Sequence, residues 1–247
     1  MENNVTNSDI NSKNSGYILV IDSGNGGEYT LHYLRKFAPK EHFIMFKDVL
    51  NSPYGTKTIE ELKNICIKNI KILTKRYNVK MIILACNTLS TTVLKYVRKK
   101  FRDVTILGVT PNIKRAVRTN KKTLVLSTTA TLKLGKIDKD YIENLGVKFV
   151  SFDNLAKMID DNLHNLDSLI PYLDSSLKEY KDTQNVVLGC THYNLIKSQL
   201  KKVLNEDIVF YENSNNVAKT MKKCLVKQNL LNTHNKNGKT ITITKLY

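Results

Sequence analysis

No stretch of this 247-residue chain is apolar for anything near the ~20 residues that a membrane-spanning helix needs. The longest apolar runs, Tyr17 to Ile21 and Met81 to Cys86, are strand-sized. The opening segment MENNVTNSDINSKNS has neither a basic start nor an apolar stretch, so no secretion signal is read there and the expected location is the cytoplasm. Cysteine is scarce too, and the four present, Cys66, Cys86, Cys190 and Cys224, are expected as free thiols in that compartment. Arginine is the third scarcity. It supplies six of 39 basic residues, lysine the rest, although the formal net charge is +17. Phosphate recognition favours the bidentate guanidinium fork, and lysines such as Lys63, Lys68, Lys71 and Lys75 share a helical pattern with Ile67, Ile70 and Leu73 on another face, as on a solvated helix. Lysine together with abundant asparagine is also what AT-rich coding produces. Neither nucleic acid nor a membrane is therefore expected as a partner; a basic DNA-binding protein is kept as an alternative.

Hydrophobic residues at 41% and charged residues at 25% are globular values, and the length suits two domains of roughly 100 to 150 residues each. Residues 1–15 are polar and without period, as in a disordered tail. Beyond them, strand-like runs alternate with helical patterns, the mark of an α/β protein with parallel sheets. Strands are expected at Tyr17–Ile21, His42–Lys47, Met81–Ala85, Thr105–Val109, Thr123–Ser127, Lys148–Phe152, Asn185–Leu188 and Ile208–Tyr211, and helices at, for example, Ile59–Tyr77 and Thr91–Phe101. The sequence also repeats itself. MIILACNTLSTTVL around Cys86 and NVVLGCTHYNLIKSQL around Cys190 share the order apolar strand, small residue, cysteine, polar residues, helix, with the cysteines 104 apart. ILVIDS matches TLVLST at an offset of 105, and ILGVT matches IVFYE at 102. Two similar α/β halves related by a pseudo-twofold axis follow: residues 16–108 plus 213–247, and residues 109–212. The first half is discontinuous because residues past 213 fall outside the repeat, with a helix expected over Val217–Leu230, a turn at Asn237-Gly238 and a short strand within Lys239–Leu246.

Ligands of open α/β sheets bind beyond the carboxyl ends of the strands, where both repeated cysteines fall. Facing each other across a cleft, Cys86 and Cys190 would meet one carbon from opposite sides. That is the arrangement a racemase or epimerase needs: one thiolate removes a proton while the other thiol delivers one. A helix N-terminus after each cysteine would lower its pKa. Cys66 and Cys224, within helical patterns, read as small apolar residues. A cysteine hydrolase using an adjacent His is the other enzyme class, but there the second cysteine is superfluous. Asp22 ends a strand and enters Ser23-Gly24-Asn25-Gly26-Gly27, a loop whose N–H groups suit a carboxylate; the alternatives are a plain helix cap, or a nucleotide fingerprint that Tyr29, standing where a glycine is needed, leaves incomplete. His192 is close enough to Cys190 to tune it, or is a structurally satisfied imidazole. No second Cys/His pair completes a zinc site. Tyr54, in the Pro53-Tyr54-Gly55 turn, is either a site residue or ordinary packing.

The segments IDSGNGG, PYGTK, ACNT and LGCTHY, in this order and spacing, resemble the signatures of the glutamate racemases, of the cofactor-independent aspartate/glutamate racemase family. The likeness runs from about Gly16 to about residue 220. It implies interconversion of L- and D-glutamate for peptidoglycan, hence cell-wall biogenesis and cell shape, with no cofactor and no metal. By matching motif, Cys86 and Cys190 are the two bases, and Asp22 and His192 assist them. Substrate binding falls to Asp22, Ser23, Tyr54, Gly55, Asn87, Thr88, Thr128, Thr131, Thr191 and His192. Asn194 stands where the family commonly has proline, Thr110 where it often has glutamate, and the region before Asp160 lacks a familiar cysteine. Glutamate rather than aspartate rests on the PYG and GCTHY segments; aspartate or another amino acid is the alternative. A homodimer is compatible with the resemblance.

Overall fold

The computed structural model describes residues 14–134, 145–234 and 236–246, so the tail expected over residues 1–15 lies outside them up to residue 13. Nine strands are present among the described residues: β1 (Tyr17–Asp22), β2 (His42–Lys47), β3 (Val79–Leu84), β4 (Thr105–Gly108), β5 (Thr123–Ser127), β6 (Val147–Ser151), β7 (Asn185–Gly189), β8 (Val209–Tyr211) and β9 (Thr240–Ile243). They form two sheets, ordered β4-β3-β1-β2-β9 and β6-β5-β7-β8, in which every pairing is parallel. The central strands are buried on both faces, as parallel strands must be when helices cover both sides.

The repeat is visible in the topology. Read from the other edge, the second sheet runs β8-β7-β5-β6, and those strands are the partners of β4, β3, β1 and β2 at the sequence offset. Only β9 has no counterpart. It comes from the last residues of the chain, pairs in parallel with β2, and is preceded by Gly238, where a Cβ would collide with the Glu41 carbonyl oxygen. Helices α1 (Gly26–Phe37), α2 (Ile59–Arg76), α3 (Asn87–Thr92), α4 (Leu94–Lys100), α5 (Ile113–Val117) and α6 (Thr129–Leu134) are followed by α7 (Leu155–Asp161), α8 (Ile170–Leu177), α9 (Lys197–Val203) and α10 (Ser214–Lys227). Helix α2 shows the local rules: Thr58 and Glu61 form a reciprocal capping box, Leu62, Cys66, Ile70 and Leu73 are buried, and Lys71 and Lys75 are exposed.

Two helices depart from expectation. The segment expected as one helix over Thr91–Phe101 begins at Asn87 and is broken at Val93 into α3 and α4. The Thr91 and Thr92 hydroxyls donate back to the carbonyls of Asn87 and Thr88, which bends helices. The helix expected over Val217–Leu230 starts at Ser214 and stops at Lys227, because Asn229 adopts a left-handed φ of 54° and the Leu230 N–H turns back to the Leu225 carbonyl. Helix α10 packs on α1. Glu41, buried against Lys80, accepts from the Asn232 N–H at 2.8 Å and ties down the approach to β9.

Candidate active site

Both repeated cysteines lie just past their strands, Cys86 two residues after Leu84 at the end of β3 and Cys190 directly after Gly189 at the end of β7. Both are nearly buried, at 6% and 7% exposure, and both are free thiols. Cys86 is the N-cap residue of α3, without a side-chain cap hydrogen bond, and the backbone N–H groups of Leu89 and Thr88 favour its thiolate. After Cys190 the chain forms a 3-10 helix, Thr191–Ile196, before α9 begins, so the α-helix start expected directly after each cysteine is found only for Cys86.

Around Cys190 the polar groups are acidic and imidazole. His192 Nδ1 lies 3.8 Å from Cys190 Sγ, and its Nε2 lies 3.1 Å from Asp160 Oδ2 on α7. Burial pulls the imidazole pKa down, but Asp160, Cys190 and Asp22 together outweigh it and hold His192 well above its ordinary value. For Asp160 the same pairing overcomes burial and lowers the carboxyl. Asp160 Oδ1 accepts from Asn25 Nδ2 at 3.0 Å, and Asn25 Oδ1 accepts from Lys47 Nζ at 2.9 Å. A chain of contacts therefore crosses from the first sheet to Cys190.

Around Cys86 the neighbours are a carboxyl and hydroxyls. Asp22 is fully buried; its Oδ1 accepts from the Gly24 N–H at 3.1 Å and its Oδ2 from the Thr191 hydroxyl at 3.0 Å, the latter bond crossing between the halves. Burial raises the Asp22 carboxyl, against the lowering effect of His192 and of these donors. Burial, then the Asp22 charge, pushes the Cys86 thiol well above its usual value despite the two N–H groups. The expectation that a helix start would lower this thiol is corrected: desolvation is the larger effect here. Thr88, Thr128 and Thr131 form a ring of hydroxyls at 2.9–3.1 Å, with Thr88 from the first half and the other two from the second. Each hydroxyl can rotate to donate to a carboxylate. Asn87, Ser23 and Gly55 are buried as well, and a Cβ on Gly55 would meet the Thr128 side chain at 2.8 Å.

All twelve expected site residues thus lie at the carboxyl ends of the strands or in the segments just beyond them, and hydrogen bonds or close approach tie most of them together across the two halves. Tyr54 is the exception in its side chain: its hydroxyl turns away into the first core and donates to Asp48 at 2.7 Å. Asp160, Asn25, Lys47 and Asp48 are site-supporting residues that the sequence did not reveal. Asn25 sits in a singled-out motif, whereas Asp160 belongs to a helical run, LAKMIDD, that reads as an ordinary amphipathic face.

No family model matches the chain. It is 35% identical over 229 residues to a glutamate racemase of Clostridium botulinum, covering 90% of this chain and 88% of that protein. A glutamate racemase of Clostridium novyi is 34% identical over 224 residues, covering 88% of this chain and 86% of that one. Among solved structures, Escherichia coli glutamate racemase in complex with L-glutamate and the activator UDP-MurNAc-ala superposes with a TM-score of 0.78 at 28% identity, over 85% of this chain and 82% of that chain.

Proposed function

The chain belongs to the glutamate racemase family, and from that premise we propose that it is an isomerase interconverting L- and D-glutamate by two cysteines, one from each half. The observation that carries the mechanism is the pair of thiols at equivalent strand ends of two sheets with the same order, joined by the Asp22–Thr191 bond. In the proposed step, the thiolate of one cysteine takes the α-proton, the C–H electron pair stays on the α-carbon, and the thiol of the other delivers a proton to the opposite face. The reverse direction exchanges the roles. His192 serves Cys190 as the group that takes up or returns its proton, with Asp160 holding the ring. Asp22 serves Cys86. The raised Cys86 thiol suits the role of proton donor, and the imidazole 3.8 Å from Cys190 suits the relay of a proton to or from that sulfur.

The substrate carboxylates fall to the hydroxyl ring, Ser23, Asn87, Thr191 and the backbone of the Gly24–Gly27 and Tyr54–Gly55 segments. Such a lining of neutral donors suits a dicarboxylate, since an apolar side chain would leave donors unpaired. Because the thiols and the hydroxyl ring are buried, substrate entry requires the halves to part. The division into residues 16–108 plus 213–247 and residues 109–212 is the proposed domain boundary, supported by the return of β9 to the first sheet. The proposed setting is the cytoplasm, with D-glutamate supplied to peptidoglycan; no described helix is long and apolar enough to cross a membrane.

Circular dichroism of L- and D-glutamate incubated with the protein tests the activity: the signal should decay to zero from either enantiomer. A persistent signal from both would reject the assignment. Comparing kcat/KM for D-glutamate and D-aspartate tests the substrate, since one methylene is worth only ~1–3 kcal/mol in a fitted pocket. An equal or higher aspartate value would move the assignment to aspartate and leave the two-cysteine chemistry standing.

A further inference from the structure

The Tyr54–Gly55 segment borders the cleft, and the Tyr54 ring is buried in the first core. Gly55 faces Thr128 of the hydroxyl ring. A cavity of about 210 Å³, lined by Asp48, Asn51, Asn69 and Leu246 among others, lies beside the polar partners of Tyr54. Close packing, the usual means of fixing a loop, is interrupted there. What gathers the polar groups beside the cavity is one buried carboxylate. Asp48 follows β2 directly, and its N–H donates to the Asp22 carbonyl at 2.9 Å, which sets it beside the start of the catalytic loop. Its side chain accepts from Asn51 Nδ2 at 2.8 and 2.9 Å on the two oxygens, from the Tyr54 hydroxyl at 2.7 Å, and from Asn69 Nδ2 of α2 at 2.8 Å. All these donors are neutral, two of them belong to the loop, and the third belongs to the helix beneath it.

We infer that Asp48 is a positioning residue for substrate binding, its carboxylate bracing the Tyr54 phenol so that Gly55 and its backbone form the wall opposite Thr128. Tyr54 is then a strut whose side chain faces away from the substrate, and its contribution to the site is the placement of the turn it belongs to. Burial, with the Asp48 charge next, raises the Tyr54 phenol well above its usual value, so it remains a donor throughout the working pH range. A carboxylate is required at position 48 because it accepts on both oxygens; an amide would turn an NH₂ group toward one of these donors.

The inference rests on the racemase reading above, and the wild-type assay separates the two: absence of glutamate racemisation in the wild-type chain defeats that reading, whereas the variants judge this one. Steady-state kinetics in both directions, with melting temperatures, should be measured for Tyr54→Phe, Asp48→Asn and the double variant. Removing the strut should raise KM for both enantiomers about 10- to 150-fold, the range of one lost hydrogen bond to a charged group, while kcat changes less than about threefold. The double variant should be no worse than Asp48→Asn, because both substitutions break one link. A Tyr54→Phe enzyme with wild-type KM overturns the inference, whatever its melting temperature, as does a loss confined to kcat. Should Asp48→Asn not fold, Tyr54→Phe decides alone, since it deletes a single oxygen atom.

Discussion

Cys86 and Cys190 occupy the same place in the same strand order and live in different electrostatic surroundings. Cys190 has an imidazole at 3.8 Å that is itself backed by Asp160. Among the described residues Cys86 has no such base; it has two backbone N–H groups, the Asp22 charge and a ring of threonine hydroxyls nearby, and its thiol is raised. Duplication of the fold therefore accounts for where the thiols are, and in the proposed two-base step the residues that do not repeat set how each would handle a proton. Two faces of one carbon need two positions, but the mirror-related steps need not use matching helpers.

The comparison breaks most completely if either thiol is dispensable. Cys86→Ser and Cys190→Ser should each lower racemisation by about 10³-fold or more, near the upper end of what a positioned acid or base contributes. Each should retain chemistry on one enantiomer only, which stopped-time analysis of hydrogen exchange at the α-carbon would reveal. Near-wild-type racemisation in both directions by either variant would refute the arrangement. Next in size, His192→Asn should cost about 10²-fold in kcat/KM, equally from either enantiomer because the equilibrium constant of a racemisation is one, and the unequal use of the imidazole should show as different α-deuterium isotope effects in the two directions, because only Cys190 loses its partner. Isotope effects that change equally from L- and D-glutamate would mean that the imidazole serves both thiols.

Asp160→Asn sharpens the contrast through pH. Asp160 is one of the groups that hold the His192 pKa up, so its neutral replacement lowers that pKa, and a group needed in its protonated form then loses its proton sooner. The alkaline limb of kcat/KM should move to lower pH, and an unmoved limb would separate His192 from that ionisation. The smallest effect expected is on stability. The Asp22 carboxyl is raised in the fold above its unfolded value, so folded protein binds the extra proton and stability falls as pH rises from the ordinary aspartate range through the folded pKa. Asp22→Asn should remove that dependence and raise Tm at neutral pH, roughly 2–4 °C for each kcal/mol gained in a chain of this size, while lowering activity. A lower Tm at neutral pH would mean that the Thr191 and Gly24 bonds to Asp22 outweigh its desolvation.

The sheet, the repeat and the cysteines were legible because each depends on local order: apolar runs of strand length, a cysteine at each strand end, and an offset that holds across three matched segments. His42–Lys47 and Thr123–Ser127 have the expected boundaries to the residue. The break at Val93 and the stop at Asn229 were not legible, since they arise from hydroxyl back-bonding and a left-handed residue that periodicity does not register. Asp160 and Asp48 escaped for another reason. Their importance comes from partners 32 and 21 positions away, His192 and Asn69, which only the fold brings near. The segment of Tyr54 lies beside Thr128 as its motif suggests, while the direction of its side chain depends on Asp48.

Racemisation in deuterium oxide tests the two-thiol account most directly. L-Glutamate converted by the wild-type protein should give D-glutamate carrying solvent deuterium at the α-carbon from the first turnovers, while the remaining L-glutamate keeps its hydrogen, because the acid that delivers the new proton is a different, solvent-exchanged thiol. Product that retains the substrate's own hydrogen, or remaining substrate labelled as fast as product, would mean that one base serves both faces, and would contradict the account.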